Sequence, residues 1–408
     1  MTQYYSRWIE PLLETMCQES PIVVLTGPRQ VGKSTLLKQK LGNRYKLFNL
    51  DNFDILNQIE RDPLALLTSF NRIIIDEAQR APDCFTTVKL LVDNHPNKRF
   101  VLSGSANLML MQKISESLAG RAEFIHLMPM TQGELQQSNP SAWFIKLLKT
   151  GIFEPPVDKN KLFSKPYQAT WRGGMPVCLQ RTESESLVRW REGFIESYLE
   201  RDLRQLSSID SLADFKALMK LASLRNAQIL NQSEIARDAA LSQPTAHRYL
   251  NLLQTSEWTY ILPAYAVNRS LRMVKSPKLH WFDTGIAAHL QGFYSPSTVR
   301  ESREFGGLWE TWVLEQIRPL CQLMTPKAEL YFWRIRSGAE IDAVIQRGKI
   351  LIAIEIKSKP HVNYSDTTGL QLFIQNHPGC HCGLLFYPGS KLEQMTDKIW
   401  AVPVSYLT

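Results

Sequence analysis

Long apolar runs, cysteine-rich stretches and internal repeats are all missing from this chain of 408 residues. No apolar run reaches the roughly 18 residues that a membrane-spanning helix requires, so we expect no membrane partner. The first ten residues lack a basic start followed by an apolar stretch, so we expect no signal peptide. Six cysteines are too few for a disulfide framework in a chain of this length, which favours a cytoplasmic protein.

The composition is that of a globular protein with a moderate excess of positive charge. Hydrophobic residues make up 44% of the chain and charged residues 21%, which argues against a disordered protein. The length predicts about two to four domains, each large enough to bury a core. The net charge of +8 favours a polyanionic partner, although a nucleotide-binding protein has its own reason to be basic.

Short apolar segments alternate with helical stretches in the first third of the chain. We expect strands at 22–25, 45–50, 73–75 and 100–103, and a helix at 31–40. This alternation is typical of a parallel sheet that helices cover on both faces. The first third is therefore predicted to be an α/β domain.

The first of these strands leads into a phosphate-binding motif. The pattern G-x-x-x-x-G-K-[ST] is matched at every fixed position, with a strand before it and a helix after it. Backbone N–H groups and the helix N-terminus are suited to phosphate oxygens. Lys33 is placed to contact the β- and γ-phosphates, and the Ser34 hydroxyl can bind Mg²⁺. The expected nucleotide-contacting residues are Gly27, Pro28, Arg29, Gln30, Val31, Gly32, Lys33, Ser34 and Thr35.

An acidic pair at the end of the strand 73–75 supports the same reading. Ligands of parallel sheets bind at the carboxyl ends of the strands, where Asp76 and Glu77 stand. Asp76 is expected to hold Mg²⁺ or its water beside the nucleotide, and Glu77 to act as the general base for the attacking water. The two motifs together predict ATP hydrolysis, with ATP and Mg²⁺ as cofactors.

Two further candidates are weaker, and each has a structural alternative. Ser105 or Asn107, after the strand 100–103, can position water against the γ-phosphate, or the segment is a plain turn. Arg121 can supply positive charge to the transition state, in its own subunit or in that of a neighbour in a homo-oligomer. The alternative for Arg121 is a structural salt bridge.

At this point the motifs resemble a known family. The run 27–35, Ile-Asp-Glu-Ala-Gln at 75–79, Leu-Ser-Gly-Ser at 102–105 and Leu-Ala-Gly-Arg at 118–121 are similar to prokaryotic AAA-type P-loop ATPases. Members of that family carry a C-terminal domain of unknown function, and the resemblance extends over the whole chain. It implies an AAA-like core and a prokaryotic origin. The resemblance says more about the fold of the protein than about its biological role.

The middle of the chain has helix-turn-helix spacing. Ser233 is expected to cap a first helix, and Ser242 a second helix that carries Pro244 in its first turn. Ala246 and Leu250 belong to the apolar stripe of that second helix. Its outward residues are of types that reach base edges and phosphates. They are Gln243, Thr245, His247, Arg248 and Asn251.

The segments 259–262 and 264–267 are expected to form a wing after these helices. Basic residues stand beside it, namely Arg269, Arg272, Lys275 and Lys278. A winged helix in this position contacts DNA or serves as a protein–protein module, and the pattern leaves both open. In the family that the chain resembles, a winged-helix segment between the ATPase and the C-terminal domain is expected.

Two predicted strands near the C-terminus, 341–345 and 350–356, carry a second set of charged residues. The spacing Asp342…Glu355-x-Lys357, with Glu310 on an upstream amphipathic helix, resembles the PD-(D/E)XK nuclease family. The resemblance implies that Asp342 and Glu355 bind Mg²⁺, that Glu310 supports either the metal or the structure, and that Lys357 orients the hydrolytic water. The proline that usually precedes the first acid is absent. A nuclease-like fold that has lost activity, or only binds DNA, is the alternative.

The sequence thus predicts three modules. They are a P-loop AAA-like parallel-sheet ATPase domain at 1–165, a helical winged-helix domain at 166–265 and a PD-(D/E)XK nuclease-like α/β domain at 266–408. The expected function is ATP hydrolysis coupled to DNA engagement, with Mg²⁺-dependent cleavage left open. The alternative is a nucleotide-regulated protein-interaction switch that contains an inactive nuclease-like fold.

Overall fold

The chain divides into two compact units. The computed structural model describes residues 3–104, 118–156, 163, 165–199, 209–335 and 338–408. The first unit comprises Met1–Met130 and Thr255–Trp258, and the second comprises Thr131–Gln254 and Thr259–Thr408. Four residues from the middle of the chain therefore belong with the first unit, although the chain on both sides of them belongs to the second.

The first unit contains a five-stranded sheet in which every neighbouring pair of strands is parallel. The strand order is β2-β3-β4-β1-β5. The carboxyl ends of parallel strands lie at one edge, so Thr26, Asp76 and Ser103 end their strands on the same side of the sheet. The predicted α/β fold of this part is confirmed. The strands are β1 (Ile22–Thr26), β2 (Lys46–Asn49), β3 (Arg72–Asp76), β4 (Arg99–Ser103) and β5 (Ala122–His126).

Buried apolar residues explain why these strands occupy the centre of the unit. Each residue of β1 is buried, as expected for a strand covered on both faces. Ile73 and Ile75 of β3 pack in one core with Phe85 and Phe100. The described helices around this sheet are α1 (Glu10–Glu19), α2 (Lys33–Leu41), α3 (Phe53–Arg61), α4 (Pro63–Thr68) and α5 (Cys84–Asn94).

The second unit is built from helices and two sheets. No helix in the described part of the chain combines the length and the apolar character that crossing a bilayer demands. The described helices of the second unit are α6 (Gln132–Leu135), α7 (Ala142–Thr150), α8 (Pro166–Arg172), α9 (Ser184–Ser197), α10 (Leu212–Leu224), α11 (Gln232–Asp238), α12 (Gln243–Thr255), α13 (Arg269–Val274), α14 (Thr284–Leu290), α15 (Pro296–Glu301), α16 (Phe305–Gln322) and α17 (Thr368–Asn376).

The smaller sheet of this unit has three antiparallel strands in the order β6-β8-β7. The strands are β6 (Gln228–Ile229), β7 (Thr259–Leu262) and β8 (Lys278–Trp281). Helices α11 and α12 lie between β6 and β7 in the chain. Ala246, Leu250 and Leu253 of α12 are buried, as the apolar stripe predicted.

Two local predictions for this region were wrong. Helix α11 is capped by Asn231 and not by Ser233, because the Asn231 side chain accepts a hydrogen bond from the Glu234 N–H at 3.2 Å. The segment 264–267 is not a strand of a wing. Its neighbour in space is Phe332, whose N–H donates to the Pro263 carbonyl at 2.9 Å and whose carbonyl accepts from the Tyr265 N–H at 2.6 Å.

The larger sheet of the second unit has six strands in the order β13-β14-β12-β11-β10-β9. The pairs β9–β10 and β10–β11 are antiparallel, whereas β11–β12 and β12–β14 are parallel. The predicted hairpin is therefore confirmed as β10 and β11. The strands are β9 (Glu329–Arg334), β10 (Glu340–Arg347), β11 (Ile350–Ile356), β12 (Cys382–Tyr387), β13 (Glu393–Thr396) and β14 (Ile399–Pro403).

Candidate functional site

The loop between β1 and α2 has backbone geometry that only glycine accommodates at its first position. Gly27 has a φ of 145°, and a Cβ atom there would lie 2.3 Å from the carbonyl oxygen of Leu127. Gly32 has a φ of 99° and stands directly before α2. The loop therefore passes close to the chain beyond β5 and enters the helix through a left-handed residue.

Lys33 is held inside this loop. Its Nζ donates hydrogen bonds to the carbonyl oxygens of Gly27 at 2.7 Å and Pro28 at 2.8 Å. Burial lowers the pKa of Lys33 to about 8, against the opposing effect of nearby acids, of which Glu77 contributes most. A phosphate at the loop would compete with these carbonyls for the ammonium and would favour its charged form.

Asp76 is oriented by a serine on the neighbouring strand. The Ser103 hydroxyl, at the end of β4, donates to Asp76 Oδ1 at 2.5 Å, and both residues are buried. Ser105 and Asn107, which the sequence indicated for this position, lie outside the described residues. Sequence reasoning missed Ser103, although a short polar residue at the end of an apolar strand was a visible signal.

Glu77 has an uncommon backbone conformation. Its φ is 56°, in the left-handed region that residues other than glycine rarely adopt. The Gln79 side-chain amide donates to Glu77 Oε2 at 2.5 Å, which fixes the direction of the carboxylate. Such strain at the end of a central strand is typical of functional sites.

Ser34 and Asp76 offer the oxygen atoms that Mg²⁺ prefers. Ser34 is exposed in the first turn of α2, and Asp76 ends β3, which β4 separates from β1 in the same sheet. A hydroxyl and a carboxylate are hard ligands, so these two residues fit a magnesium ion that also contacts phosphate oxygens.

A carboxylate from a distant part of the sequence belongs to the same unit. Glu257 Oε1 lies 3.1 Å from Nδ1 of His126, and this nitrogen lies 3.2 Å from the hydroxyl of Thr26. Thr26 directly precedes the phosphate-binding loop. Glu257 also acts to raise the pKa of Lys33. Sequence reasoning missed Glu257, because no motif marks it.

Arg7 is a second residue that sequence reasoning missed. It is buried, and its guanidinium donates to the carbonyl oxygens of Val31 at 3.0 Å and Met128 at 2.7 Å. Val31 is part of the phosphate-binding loop, so Arg7 ties the loop to the N-terminal segment and to the chain after β5.

Arg121 forms an ion pair at the surface of the first unit. Its Nε and Nη2 donate to the two carboxylate oxygens of Asp93 at 2.5 and 3.0 Å. This arrangement corresponds to the structural salt bridge that the sequence had left open as one of two roles.

The second unit brings together the acids that the sequence had selected near the C-terminus. The Asp342 carboxylate accepts a hydrogen bond from the Ile356 N–H at 2.7 Å, and Lys357 Nζ donates to Glu355 Oε1 at 2.6 Å. Burial, followed by the nearby Asp342, raises the pKa of Glu355 to about 8, and Lys357 opposes this effect.

A lysine that the sequence had assigned to the wing lies within this cluster. Lys278 Nζ is 2.6 Å from Glu340 Oε1, 2.9 Å from Glu310 Oε1 and 3.6 Å from Asp342 Oδ1. Burial acts to lower the pKa of Lys278, but these carboxylates together raise it above its ordinary value. Burial raises the pKa of Glu310, and so does Asp342. The ammonium of Lys278 therefore stays charged among these carboxylates.

The observed cluster does not fit the expected metal site. Among the described residues, no three His, Cys, Asp or Glu side chains are arranged to hold a metal ion. The oxygens of Glu310 and Asp342, which were expected to bind Mg²⁺, face an ammonium group instead.

The exposed face of α12 is polar, and its side chains contact one another. His247 Nδ1 lies 2.8 Å from Gln232 Oε1, and its Nε2 lies 2.9 Å from the Asn251 amide. Arg248 forms an ion pair with Asp210. Because Arg248 is paired, this face is less basic than the sequence suggests.

Arg272, which the sequence had placed beside the wing, lies among aromatic residues. Its guanidinium carbon is 4.7 Å from the ring centre of Tyr265 and 4.5 Å from that of Tyr331. The same side chain donates to Gln346 Oε1 at 2.8 Å. Arg272 and Lys278 therefore serve contacts inside the second unit.

Three family models match successive parts of the chain. Residues 19–136 match a model described as an AAA domain. Residues 165–297 and 305–407 match two models, each described as a domain of unknown function, DUF8612 and DUF4143. The prediction of an AAA-type P-loop domain followed by a C-terminal domain of unknown function is confirmed.

Two full-length relatives and one solved structure resemble the chain. "Uncharacterized protein Rv2008c" of Mycobacterium tuberculosis and "Uncharacterized protein Mb2031c" of Mycobacterium bovis are each 30% identical over 404 residues, which is 97% of this chain and 82% of theirs. The Walker-type ATPase PABY2304 of Pyrococcus abyssi is 18% identical, with a TM-score of 0.45 over 71% of this chain and 96% of that one.

Proposed function

We propose that this chain, which belongs to the family of these two mycobacterial proteins and has an AAA-type P-loop domain as its first unit, binds ATP with Mg²⁺ and hydrolyses it. The observation that carries the proposal is the convergence of three buried groups at one edge of a parallel sheet. Lys33 lies in the loop after β1, and Asp76 accepts a hydrogen bond from Ser103 at the ends of β3 and β4.

Each residue of this site has a defined part in the reaction. The loop N–H groups and Lys33 bind the phosphates, and Ser34 and Asp76 hold the magnesium ion. Bound Mg²⁺ neutralises charge that develops on the phosphate oxygens. Glu77 takes the proton of the attacking water, in the direction that Gln79 sets.

Paired substitutions at Lys33 and Glu77 test this proposal. Lys33→Ala should weaken ATP binding by at least about a hundredfold, because it removes a buried cation from the phosphates. Glu77→Gln should keep ATP binding and lower turnover by about a hundredfold or more, since an amide cannot accept the proton. Nucleotide affinity and phosphate release are measured for both. Turnover at the wild-type level in both variants would refute the assignment.

The order of elements in 228–281 supports a winged helix in the second unit. One strand, two helices and a second strand follow one another, and after the short helix α13 a third strand completes a sheet with the order β6-β8-β7. The three modules 1–165, 166–265 and 266–408 remain our proposed division of function along the chain, although β8, which completes this sheet, lies beyond residue 265. In this division the first module hydrolyses ATP, and the second engages DNA or a protein.

The exposed polar side chains of α12 favour an interaction role for this module. Gln243, His247 and Asn251 are exposed and of types that read base edges. Filter binding of DNA across salt concentrations separates the two partners. A steep loss of affinity with salt marks contact with phosphates, and no binding at any salt favours a protein partner.

A further inference from the structure

We propose that Lys278 takes the place of a divalent cation in the C-terminal acidic cluster, which therefore works without metal and does not cleave nucleic acid. Three carboxylates from two elements meet at one ammonium. Glu310 belongs to α16, and Glu340 and Asp342 belong to β10. Lys278 comes from β8, in the other sheet of the same unit. None of these four residues belongs to the proposed nucleotide site.

The distances identify the ammonium as the resident cation. The separations of 2.6 and 2.9 Å to Glu340 and Glu310 are those of charge-assisted hydrogen bonds. A divalent ion would need oxygen ligands at about 2.0–2.6 Å, at a point that the ammonium already occupies. A divalent ion bound to these oxygens would therefore lie next to the ammonium. The two cations would repel each other strongly, because the side chain of Lys278 is only 3% exposed and water does not screen its charge.

The surrounding residues restrict any movement of the Lys278 ammonium away from the three carboxylates. The ring centre of Phe332 lies 5.7 Å from Nζ, so an aromatic face closes another side of the ammonium. Leu279 and Trp281, on the same strand, are fully buried. A lysine in such a position cannot turn its charge to solvent without breaking up the packing of β8.

The remaining charged pair, Lys357 and Glu355, is joined through one carboxylate oxygen, whereas Glu355 Oε2 is buried without a hydrogen-bond partner among the described residues. Lys357 Nζ donates to Glu355 Oε1 at 2.6 Å, and the Asp342 carboxylate accepts the Ile356 N–H at 2.7 Å. Glu310 and Asp342, two acids that a nuclease would use to bind its metal, thus connect α16 and β10 to β8 through Lys278. The cluster stabilises the second unit by joining its two sheets.

Metal binding to the wild-type protein is the direct test. Nucleotide-free protein is titrated with Mn²⁺, and binding is followed by calorimetry and by the paramagnetic resonance signal of free Mn²⁺. We expect no stoichiometric site. One ion bound per chain, lost in Asp342→Asn and kept in Lys33→Ala, would overturn the proposal. This result does not depend on whether any Lys278 variant folds.

Lys278→Ala should create the site that the ammonium excludes. The variant leaves buried carboxylates without a partner and should lower Tm by about 10 °C. Mn²⁺ at a hundredfold excess over Kd should recover about 5 °C or more of that loss. Lys278→Met removes the charge but fills the space, so its Tm should not respond to Mn²⁺. A folded Lys278→Ala protein that is indifferent to Mn²⁺ would overturn the proposal.

A nuclease assay gives an independent reading. Wild-type protein with Mg²⁺ or Mn²⁺ should leave DNA and RNA uncut. Metal-dependent cleavage that disappears in Glu355→Ala and persists in Lys33→Ala would contradict the proposal. If the wild-type protein did not hydrolyse ATP, the proposed function of the first unit would be refuted. The inference about Lys278 would not be affected.

Discussion

At the scale of single residues, the nucleotide site depends on short contacts that tolerate little change. Gly27 has no space for a side chain, because Leu127 O lies where a Cβ would stand. Asp76 and Ser103 share a buried hydrogen bond, and Lys33 sits on the carbonyls of its own loop. A single substitution at any of these residues should therefore alter nucleotide binding or turnover.

Ser103→Ala tests how Asp76 is held. The substitution leaves Asp76 Oδ1 without its donor, and a buried acceptor without a partner costs about 1–3 kcal/mol. We expect turnover to fall by about tenfold, with a smaller change in KM, as measured by steady-state ATP hydrolysis. Ser105→Ala is the matched comparison, since Ser105 was the residue that the sequence indicated. Wild-type turnover in Ser103→Ala would contradict this role.

The lowered pKa of Lys33 predicts a pH dependence of nucleotide binding. Lys33 has a pKa of about 8 in the free protein, and bound phosphates raise it. Binding of Mg-ADP should therefore take up a proton above about pH 8, and affinity should fall by up to about tenfold per pH unit there. Below pH 7 both forms are protonated, so no uptake is expected.

Glu257→Gln provides the matched variant for this measurement. Glu257 acts to raise the pKa of Lys33, so its neutralisation should start the proton uptake at a lower pH. Calorimetry in buffers of different ionisation enthalpy measures the uptake in both proteins. Equal uptake at pH 7 and pH 9 in the wild type would be incompatible with this account of Lys33.

At the scale of elements, the ends of helices and the pairing of strands were decided by specific side chains and neighbours. The motif 27–34 has the expected strand before it and the expected helix after it. The hairpin β10–β11 pairs two strands that a tight turn at Gly348 joins, with Ile345 opposite Ile352. The segment 264–267 does not form the expected wing strand, because it pairs with Phe332 of β9. The local sequence pattern does not predict this long-range pairing.

Asn231→Ala and Ser233→Ala compare two candidate caps of α11. Only the Asn231 side chain accepts a hydrogen bond from the first turn of the helix. Asn231→Ala should lower the free energy of unfolding by about 1 kcal/mol, and Ser233→Ala by a few tenths at most. Urea denaturation monitored by circular dichroism measures both. A larger loss in Ser233→Ala than in Asn231→Ala would show that the helix begins elsewhere.

At the scale of the whole molecule, the chain forms two compact units, and the nucleotide site lies in the first. A ligand that binds one unit in its folded form stabilises that unit by mass action. Nucleotide binding should therefore affect the stability of the first unit, and the Lys278 cluster that of the second. The two effects can be measured separately.

Mg-ADP should raise the unfolding temperature of the first unit. At a concentration a hundredfold above Kd it adds about 2.7 kcal/mol, which corresponds to a shift of about 5–10 °C. Scanning calorimetry should show this shift in the wild type and its absence in Lys33→Ala. Lys278→Met should keep the full shift, because it alters only the second unit. A shift that survives Lys33→Ala would place nucleotide binding elsewhere.

The sequence by itself determined the phosphate-binding loop, the acidic end of β3 and the hairpin β10–β11. In each case the residues concerned are close together in the sequence, so they are also close together in the folded chain. The AAA-type assignment rests on these local motifs. Buried strands also reveal themselves locally, since full burial requires apolar residues at successive positions.

Only the tertiary structure decided which charges meet. Lys278 looked like a wing residue, yet it lies among Glu310, Glu340 and Asp342. Glu257 lies near the proposed nucleotide site although no motif marks it, and the hydrogen bond between Ser103 and Asp76 is apparent only in the folded chain. Electrostatic interactions act through space, whereas a sequence records only distance along the chain. A buried ion pair between remote segments is therefore visible only once the chain has folded.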